Sequence, residues 1–257
     1  MINRKRLEWY RDLLLVLLRK DLSVRYHGSV LGYLWSLLNP LAQTGIYLVV
    51  FGHYMRFNMP HYTIVLLSAL FPWQWISNSI MHGPVCFIAN PTLIKKVAFP
   101  KAAIPLVANI QDMIHFFISI PVYFAFMITD GICPGISSIW SIPLLSFVTL
   151  ATVYGLNLLI GSVNIFFKDL GHIVGIIMNA LFFGSPIIYT LDIVPVQFHI
   201  FIKMNPLAPI IICWRSALFN GAMAWDYFGY AVLYASFFML MGIVTYSKVK
   251  WKFAEAM

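Results

Sequence analysis

Six stretches of this chain run for about 20 residues or more with almost no charge, the length a helix needs to cross the hydrocarbon of a bilayer. They are Val30–Tyr54, Thr63–Ala89, Ala102–Ile128, Ile139–Phe167, His172–Leu191 and Tyr227–Tyr246, and Asp112 is the one Asp, Glu, Lys or Arg inside them. A helix satisfies its own backbone groups, so lipid tolerates it where an open strand or loop would fail. Composition agrees. Of 257 residues, 61% are hydrophobic and 10% charged, where a soluble domain carries about 25% charged residues. The chain cannot make the polar skin of a water-soluble fold. The sequence therefore predicts an all-α integral membrane protein of six transmembrane helices in one domain, residues 1–257, without repeats or low-complexity runs.

The basic residues set the orientation. Arg4, Lys5, Arg6, Arg11, Arg19, Lys20 and Arg25 precede the first span. Lys95, Lys96 and Lys101 separate the second from the third, Lys168 separates the fourth from the fifth, and Lys248, Lys250 and Lys252 follow the sixth. That places 14 of 17 Lys and Arg on one side and leaves Arg56, Lys203 and Arg215 for the other. The positive-inside rule makes the rich side cytoplasmic and puts both termini there. A net charge of +8 could suggest nucleic acid. The charges sit between apolar segments rather than along one face, so they read as topology and no nucleic-acid partner is expected.

Three connecting segments break the simple pattern. Residues 1–29 have a basic start, but Arg19, Lys20, Asp21 and Arg25 cut the apolar run short and no small-residue cleavage site follows. The segment reads as an amphipathic interface helix, with Leu14, Leu17, Leu18 and Leu22 on one face. The loop 90–101, "NPTLIKKVAFPK", is cytoplasmic in this scheme, and Pro91 and Pro100 favour the start and stop of a short surface helix; a plain orienting loop has the same composition. Residues 192–226 are long and apolar on the outer side. Asn205-Pro206 and Pro209 divide them into pieces of about ten residues, too short to span. Two half-helices that dip in and return fit this pattern, as does an amphipathic pair resting on the outer leaflet.

Catalysis finds little support. Glu occurs only at Glu8 and Glu255, so there is no H-E-x-x-H helix, and neither G-x-S-x-G nor the phosphate-binding G-x-x-x-x-G-K-[ST] is present. Any ATP would be used by another subunit. No metal site or cofactor is expected in this chain. Cys86, Cys133 and Cys213 lack metal-ligand spacing; they read as small buried apolar residues, with a Cys133–Cys213 pair as the other arrangement. Asn109, Asp112, His115 and Ser119 form a polar seam on the third span. An ionisable group at that depth faces protein or water, either as part of a solute path or as interhelical glue. Asn157, Gly161, Asn164 and Lys168 form a second stripe, ending beside Asp169, and Gly171, Gly175 and Asn179 follow at four-residue steps. Tyr33, Tyr47, Phe51 and Tyr54 lie near one face of the first span, and Phe182 and Tyr189 share a face of the fifth. Flat rings suit the C–H faces of sugars, and an interfacial belt uses the same residues. Pro40, Pro72 and Pro186 can kink their helices.

Four stretches together resemble the polysaccharide-export permeases of ABC transporters, the membrane subunits for O-antigen, capsule and teichoic-acid export. They are Arg25–Gly52, "LIKKVAFPKAAIPLV" (Leu93–Val107), "NIFFKDLGHI" (Asn164–Ile173) and "NPLAPIIICWRSALFNG" (Asn205–Gly221), in the family's order. The resemblance implies two permease copies over two separate ABC ATPase subunits that hold ATP and Mg, in the bacterial inner membrane. It implies that Lys95, Lys96, Val97, Phe99 and Pro100, with Lys168 and Asp169, couple to the ATPase. The family often has arginine where Lys168 stands. It implies an external gate at 192–226 carrying Asn205, Pro206, Pro209, Trp214 and Arg215. Its substrate would be an undecaprenyl-type, lipid-diphosphate-linked polysaccharide. Arg25, Lys95 and Lys168 are then candidate diphosphate contacts, and Tyr33, Tyr47, Phe51, Tyr54, Asn109, Asp112, Asn157, Phe182 and Tyr189 candidate channel residues. An ion-coupled secondary transporter using Asp112 is the competing class.

Overall fold

The computed structural model describes residues 4–26, 32–54, 59–96, 99–133, 135 and 138–253, and their side chains except those of residues 4–7, 21–26, 33, 36, 92 and 96. Helix α1 is Arg4–Tyr26. A 3-10 turn, Gly32–Leu34, leads into α2 (Trp35–Tyr47), which continues as a π-helix over Leu48–Tyr54. Then come α3 (Tyr62–His82), α4 (Pro91–Lys96), α5 (Ala103–Thr129), α6 (Ser138–Asn164) and α7 (Leu170–Gly184). Helices α8 (His199–Met204) and α9 (Ala208–Arg215) follow, α9 running on as a π-helix over Ser216–Asn220, and α10 (Trp225–Val249) comes last.

Helices α3, α5, α6 and α10 are each long and apolar enough to cross a membrane. The other two expected spans depart from straight helices. The first changes helix type after Tyr47 and carries Pro40 in its interior. The fifth was expected to reach Leu191 but stops at Gly184. The reason is local: Pro186 lacks an N–H and excludes the α conformation from the residue before it, and Ser185 lies at φ −106°, ψ 147°. Pro186 therefore ends the helix rather than kinking it. Within 192–226, Val196–Met204 and Ala208–Asn220 form two apolar helical arms bent by 110°. Asn205-Pro206 lies at the bend, and a pair bent in this way has the form of a broken span or of a re-entrant loop.

Helix α3 is the centre of the bundle. Of its apolar window 78% is buried, against 17% for α10. Its C-terminal half is gripped by α6 through the stripe seen in the sequence. Asn157 Nδ2 donates to the Ser79 carbonyl (2.8 Å) and Asn164 Nδ2 to the Pro84 carbonyl (2.7 Å). Between them Gly161 lets the turn after α3 approach, since a Cβ there would lie 2.9 Å from the Gly83 carbonyl oxygen. Helix α10 packs on α6 at closer range. A Cβ on Gly242 would stand 2.2 Å from the Gly155 carbonyl oxygen, and one on Gly155 2.5 Å from the Met239 nitrogen. Small residues let the two backbones touch, which is how helices gain packing energy in lipid.

One end of the bundle collects the basic connections. Ile94 of α4, Ile104 of α5, Leu158 and Ile165 at the end of α6, and Phe253 form a small core with Cys86 and Phe87. Lys101 Nζ lies 5.9 Å over the Phe253 ring. Helix α1 joins this end by its leucine face: Leu17 is buried against Ala103 and Val107, with Leu13, Leu14, Leu18 and Phe99 around it. A second apolar strip on α1, Trp9, Leu15 and Val16, stays exposed. Cys86 and Cys213 are buried and unpaired, and Cys133 is exposed, so the Cys133–Cys213 bridge is not made.

The α6–α10 contact generates a prediction. Gly242→Ala forces a methyl against backbone that cannot yield, and should cost about 1–3 kcal/mol as overpacking does. Gly229→Ala on the same helix meets nothing within 4 Å and should be neutral. Thermal unfolding of the two variants in nanodiscs checks this; equal midpoints would contradict the close contact.

Candidate functional site

A cavity of about 470 Å³ opens between α2, α3 and α7. Its walls are built by periodicity. On α2, Asn39, Gln43 and Tyr47 recur at four-residue steps; on α3, Gln74, Ser77 and Asn78 share a face; on α7, Asn179 and Phe182 sit three apart. Gln74 Nε2 donates to Gln43 Oε1 (2.9 Å), and Gln43 Nε2 donates to the Tyr47 hydroxyl (2.9 Å). The Tyr47 ring stacks on Phe182 at 5.8 Å and 26°, and the Trp73 ring lies tilted against Phe182 at 5.6 Å. Among the described residues, no charged side chain lines this cavity. Amides offer both donors and acceptors, and rings offer flat apolar faces. Such a wall suits a neutral, hydroxyl-rich chain and gives little grip to an ion.

The sequence reading found Tyr47 and Phe182, and the structure brings them together here. Phe51 adds its ring 6.1 Å from Tyr47, while Tyr54 is exposed one turn further on. The side chains of Tyr33, Arg25 and Lys96, and all of Val97, lie outside the described residues. The reading missed Asn39, Gln43, Gln74, Ser77 and Asn78. Their signal was present: amides at four-residue steps, 39 with 43 and 74 with 78, on otherwise apolar helices.

Asn109, Asp112 and Asn157 belong to a different arrangement. Asn157 Nδ2 donates to Asn109 Oδ1 (2.6 Å) as well as to the Ser79 carbonyl, and Ser79 Oγ donates to Asp112 Oδ2 (3.1 Å). This chain ties α6, α3 and α5 together in the core, where Asn109 and Asn157 are fully buried. Asp112 at its end borders a second, smaller cavity on the α5 side of α2.

The residues expected at the gate hold the unwound segment after α7. Arg215 is 8% exposed. Its Nη1 donates to the Tyr189 carbonyl and its Nη2 to the Ile187 carbonyl, both at 2.7 Å. The Tyr62 hydroxyl takes the Ile188 carbonyl between them (3.1 Å), and Tyr189 reaches back to the Phe183 carbonyl (3.1 Å). Asn205 Nδ2 donates to the Gly184 carbonyl (3.1 Å) and to Ser185 Oγ (3.0 Å), while its Oδ1 accepts from the Leu207 and Ala208 amides. Pro206 lies in the bend between the arms and Pro209 opens α9. Trp214 is fully buried, donates to Thr149 Oγ1 (3.0 Å) and packs edge-on against Trp75 and Phe116.

The expected coupling residues lie at the basic end. Pro91 starts α4 as predicted, and the helix runs to Lys96. Lys95 is exposed beside buried Ile94, Phe99 is half-buried on the Leu17 cluster, and Pro100 is half-buried next to it. Lys20 Nζ donates to Asn90 Oδ1 (3.2 Å), fastening α1 to the start of α4. Lys168 and Asp169 are exposed in the turn between α6 and α7.

Arg215→Ala removes the donors of two carbonyls, that of Ile187 buried and that of Tyr189 partly buried, and leaving the buried one unpaired costs about 1–3 kcal/mol. The variant should unfold at lower temperature in nanodiscs, with faster amide exchange after Gly184. Arg215→Lys, with one compact ammonium, should recover part of the loss. Unchanged stability and exchange in Arg215→Ala would contradict the clamp.

The ABC-2 type transporter family matches residues 12–219. An O-antigen export system permease protein, RfbA, of Klebsiella pneumoniae is 39% identical over 246 residues, covering 95% of this chain and 94% of that one. The RfbA permease of Myxococcus xanthus is 28% identical over 216 residues, 82% of each chain. The polysialic acid transport protein KpsM of Escherichia coli is 27% identical over 209 residues, 79% of each. With this match over most of its length and several helices able to cross a membrane, the chain belongs to the ABC-2 type transporter family as a multi-pass membrane permease.

Proposed function

We propose that this chain is the membrane subunit of an ATP-driven exporter that carries lipid-diphosphate-linked polysaccharide from the cytoplasmic to the periplasmic side of a bacterial inner membrane. O-antigen is the first candidate. The observation that carries this reading is the neutral groove of amides and stacked rings between α2, α3 and α7. A polymer that must move cannot be held by charge pairs. Amides exchange partners cheaply, and ring faces let sugars slide. Two relatives, 39% and 38% identical, are named for O-antigen export, and KpsM, named for polysialic acid transport, keeps capsule export as the second reading.

In this scheme the membrane is crossed six times, with α2 and its π-helical extension as the first span and α7 with its unwound tail as the fifth. The lysine-bearing end faces the cytoplasm, together with both termini, and the bent pair of arms is the external gate. A second copy of the chain closes the open side of the groove. Helix α1 lies at the interface, with Trp9 and Val16 toward lipid. Two ATPase subunits, which bring ATP and Mg, press on α4 and on the Lys168–Asp169 turn. Ile94 anchors α4 in the same small core as Ile104 and Phe253, so a push on α4 reaches the start of α5 and the last helix. Lys95, Lys168 and Arg25 offer charge to the lipid diphosphate.

Three outcomes are expected. In a strain deleted for the chain and its ATPase, surface polysaccharide should return only when both are supplied; return without an ATPase would defeat the reading. Lys95→Glu with Lys96→Glu should insert normally but lose ATPase copurification and export. Tyr47→Ala with Phe182→Ala removes ring contacts worth about 1 kcal/mol each and should slow export several-fold while membrane levels stay normal. Wild-type export from that double variant would remove the groove from the path.

A further inference from the structure

We propose that the first of the two bent arms, Val196–Met204, seats in the outer leaflet of the bilayer, where Lys203 and the tyrosines of α10 bind the phosphate of a phospholipid headgroup. The occupant is a glycerophospholipid: its phosphodiester meets Lys203 and its acyl chains cover the arm.

The two arms have opposite surroundings. In the second, Ala208, Ile210, Ile211 and Trp214 are fully buried. In the first, Ile202 is the buried residue, while Ile200, Phe201 and Met204 share the outward face and are 57%, 64% and 66% exposed. An exposed apolar face backed by a buried one marks a contact with lipid or protein rather than water. The same surface continues onto α10. There Leu233 and Phe237 are exposed beside Tyr230 and Tyr234, on a span of which 17% is buried.

Lys203 sets the depth. Its carbonyl accepts from the Tyr234 hydroxyl (2.9 Å), with the Met204 carbonyl at 3.1 Å from the same oxygen. These are carbonyls that a helix end leaves open, and a side-chain donor meets them without water. The end of the arm therefore lies at the level of Tyr234. The lysine ammonium lies elsewhere, 5.6 Å from the Tyr230 ring centroid and 6.0 Å from that of Tyr227. Those residues stand about one and two turns nearer the start of α10, about 6 and 10 Å along its axis. All three rings lean the same way on their helix, so the offset belongs to the lysine. It climbs from its own backbone toward the outer end of the span. A lysine rooted below the headgroups brings its charge to the interface in this way.

The outer end is marked independently. Trp140 near the start of α6 and Trp225 at the start of α10 are exposed and stacked at 5.9 Å, the belt position of tryptophan. Counted from Trp225, Tyr230 lies about 8 Å and Tyr234 about 13 Å inward. An interfacial helix buries its apolar face about 5–10 Å into the headgroup and acyl boundary, and the arm falls at that depth. Asp226 stands in the first turn of α10, beyond the tyrosines and toward water, where the helix dipole favours it. A second copy of the chain could cover the same apolar face. A protein seam gives the ammonium no reason to climb, whereas a phosphate at that level takes it as a charge-assisted bond. The proposal rests on the export reading only in calling this leaflet periplasmic.

For the test, the full-length chain carries Cys133→Ser to remove its exposed thiol and is spin-labelled at Phe201→Cys or Met204→Cys. It sits in nanodiscs of synthetic phosphatidylethanolamine and phosphatidylglycerol, which hold no polyprenyl diphosphate. Both positions are exposed, so the label leaves the fold intact. Collision with oxygen, which concentrates in lipid, should exceed collision with a water-soluble nickel chelate several-fold. In the same nanodiscs, solid-state NMR should show dipolar coupling from lysine ¹⁵Nζ to lipid ³¹P, with the Lys203 share lost in Lys203→Gln. Dominant collision with nickel would put the arm in water. Shielding from both reagents would put a second copy over it. Unchanged coupling in Lys203→Gln would leave the ammonium without a phosphate. Each of these three results would overturn the proposal. Failure of the ATPase-dependent complementation would sink the export reading and leave the lipid contact standing.

Discussion

Backbone that is not helical cannot face lipid unpaired, and the end of α7 is a place where the chain leaves the helix within an apolar segment. From Ser185 to Thr190 the peptide groups lose their intrahelical partners. Arg215 and Tyr62 reach in from two other elements to take the carbonyls of Ile187, Ile188 and Tyr189, and Asn205 takes the Gly184 carbonyl just before them. Each bond of the arginine is charge-assisted and worth about 1.5–3 kcal/mol. This requirement explains why the two bent arms sit where they do. The second arm must deliver Arg215 to the unwound tail, and the bend must deliver Asn205 to the last turn of α7. The central helix α3 contributes Tyr62 from its first turn.

The same economy separates the two polar regions inside the bundle. Residues that tie helices together spend their hydrogen bonds on backbone and on each other, as Asn157, Asn164 and Trp214 do. Residues of the groove keep theirs within reach of the cavity, in the short series from Gln74 through Gln43 to Tyr47. A polar side chain in a span is therefore not by itself a sign of transport. Its partners decide, and these become visible only once the helices are assembled.

Much of the fold was legible because lipid imposes a length rule that sequence displays directly. The long helices, the division of 192–226 at Asn205-Pro206, the start of α4 at Pro91 and the leucine face of α1 all follow from local chemistry. The early end of α7 was also written in Ser185-Pro186, although hydropathy alone carries the segment on to Leu191. What stayed hidden was pairing. Nothing in the linear pattern joins Arg215 to Ile187, or separates Asn109 from Asn39, since both are amides in apolar runs. Tyr47 and Phe182 were found as aromatic residues, but their stacking across two helices depends on α7 returning beside α2. The exposed strip of Trp9, Leu15 and Val16 was masked by the stronger leucine face of the same helix.

The contact between α6 and α10 bears on which parts can travel during a working cycle. Backbone laid on backbone at Gly155 and Gly242 leaves no side chains to mesh at a new position, and packed interfaces shift between discrete seatings rather than by degrees. A slide of one turn would bring Met239 or Phe238 against the same carbonyl. The pair therefore behaves as a stator. Motion falls to other elements, where α2 changes its helical winding and α7 ends in a strap whose carbonyls are held by side chains from elsewhere.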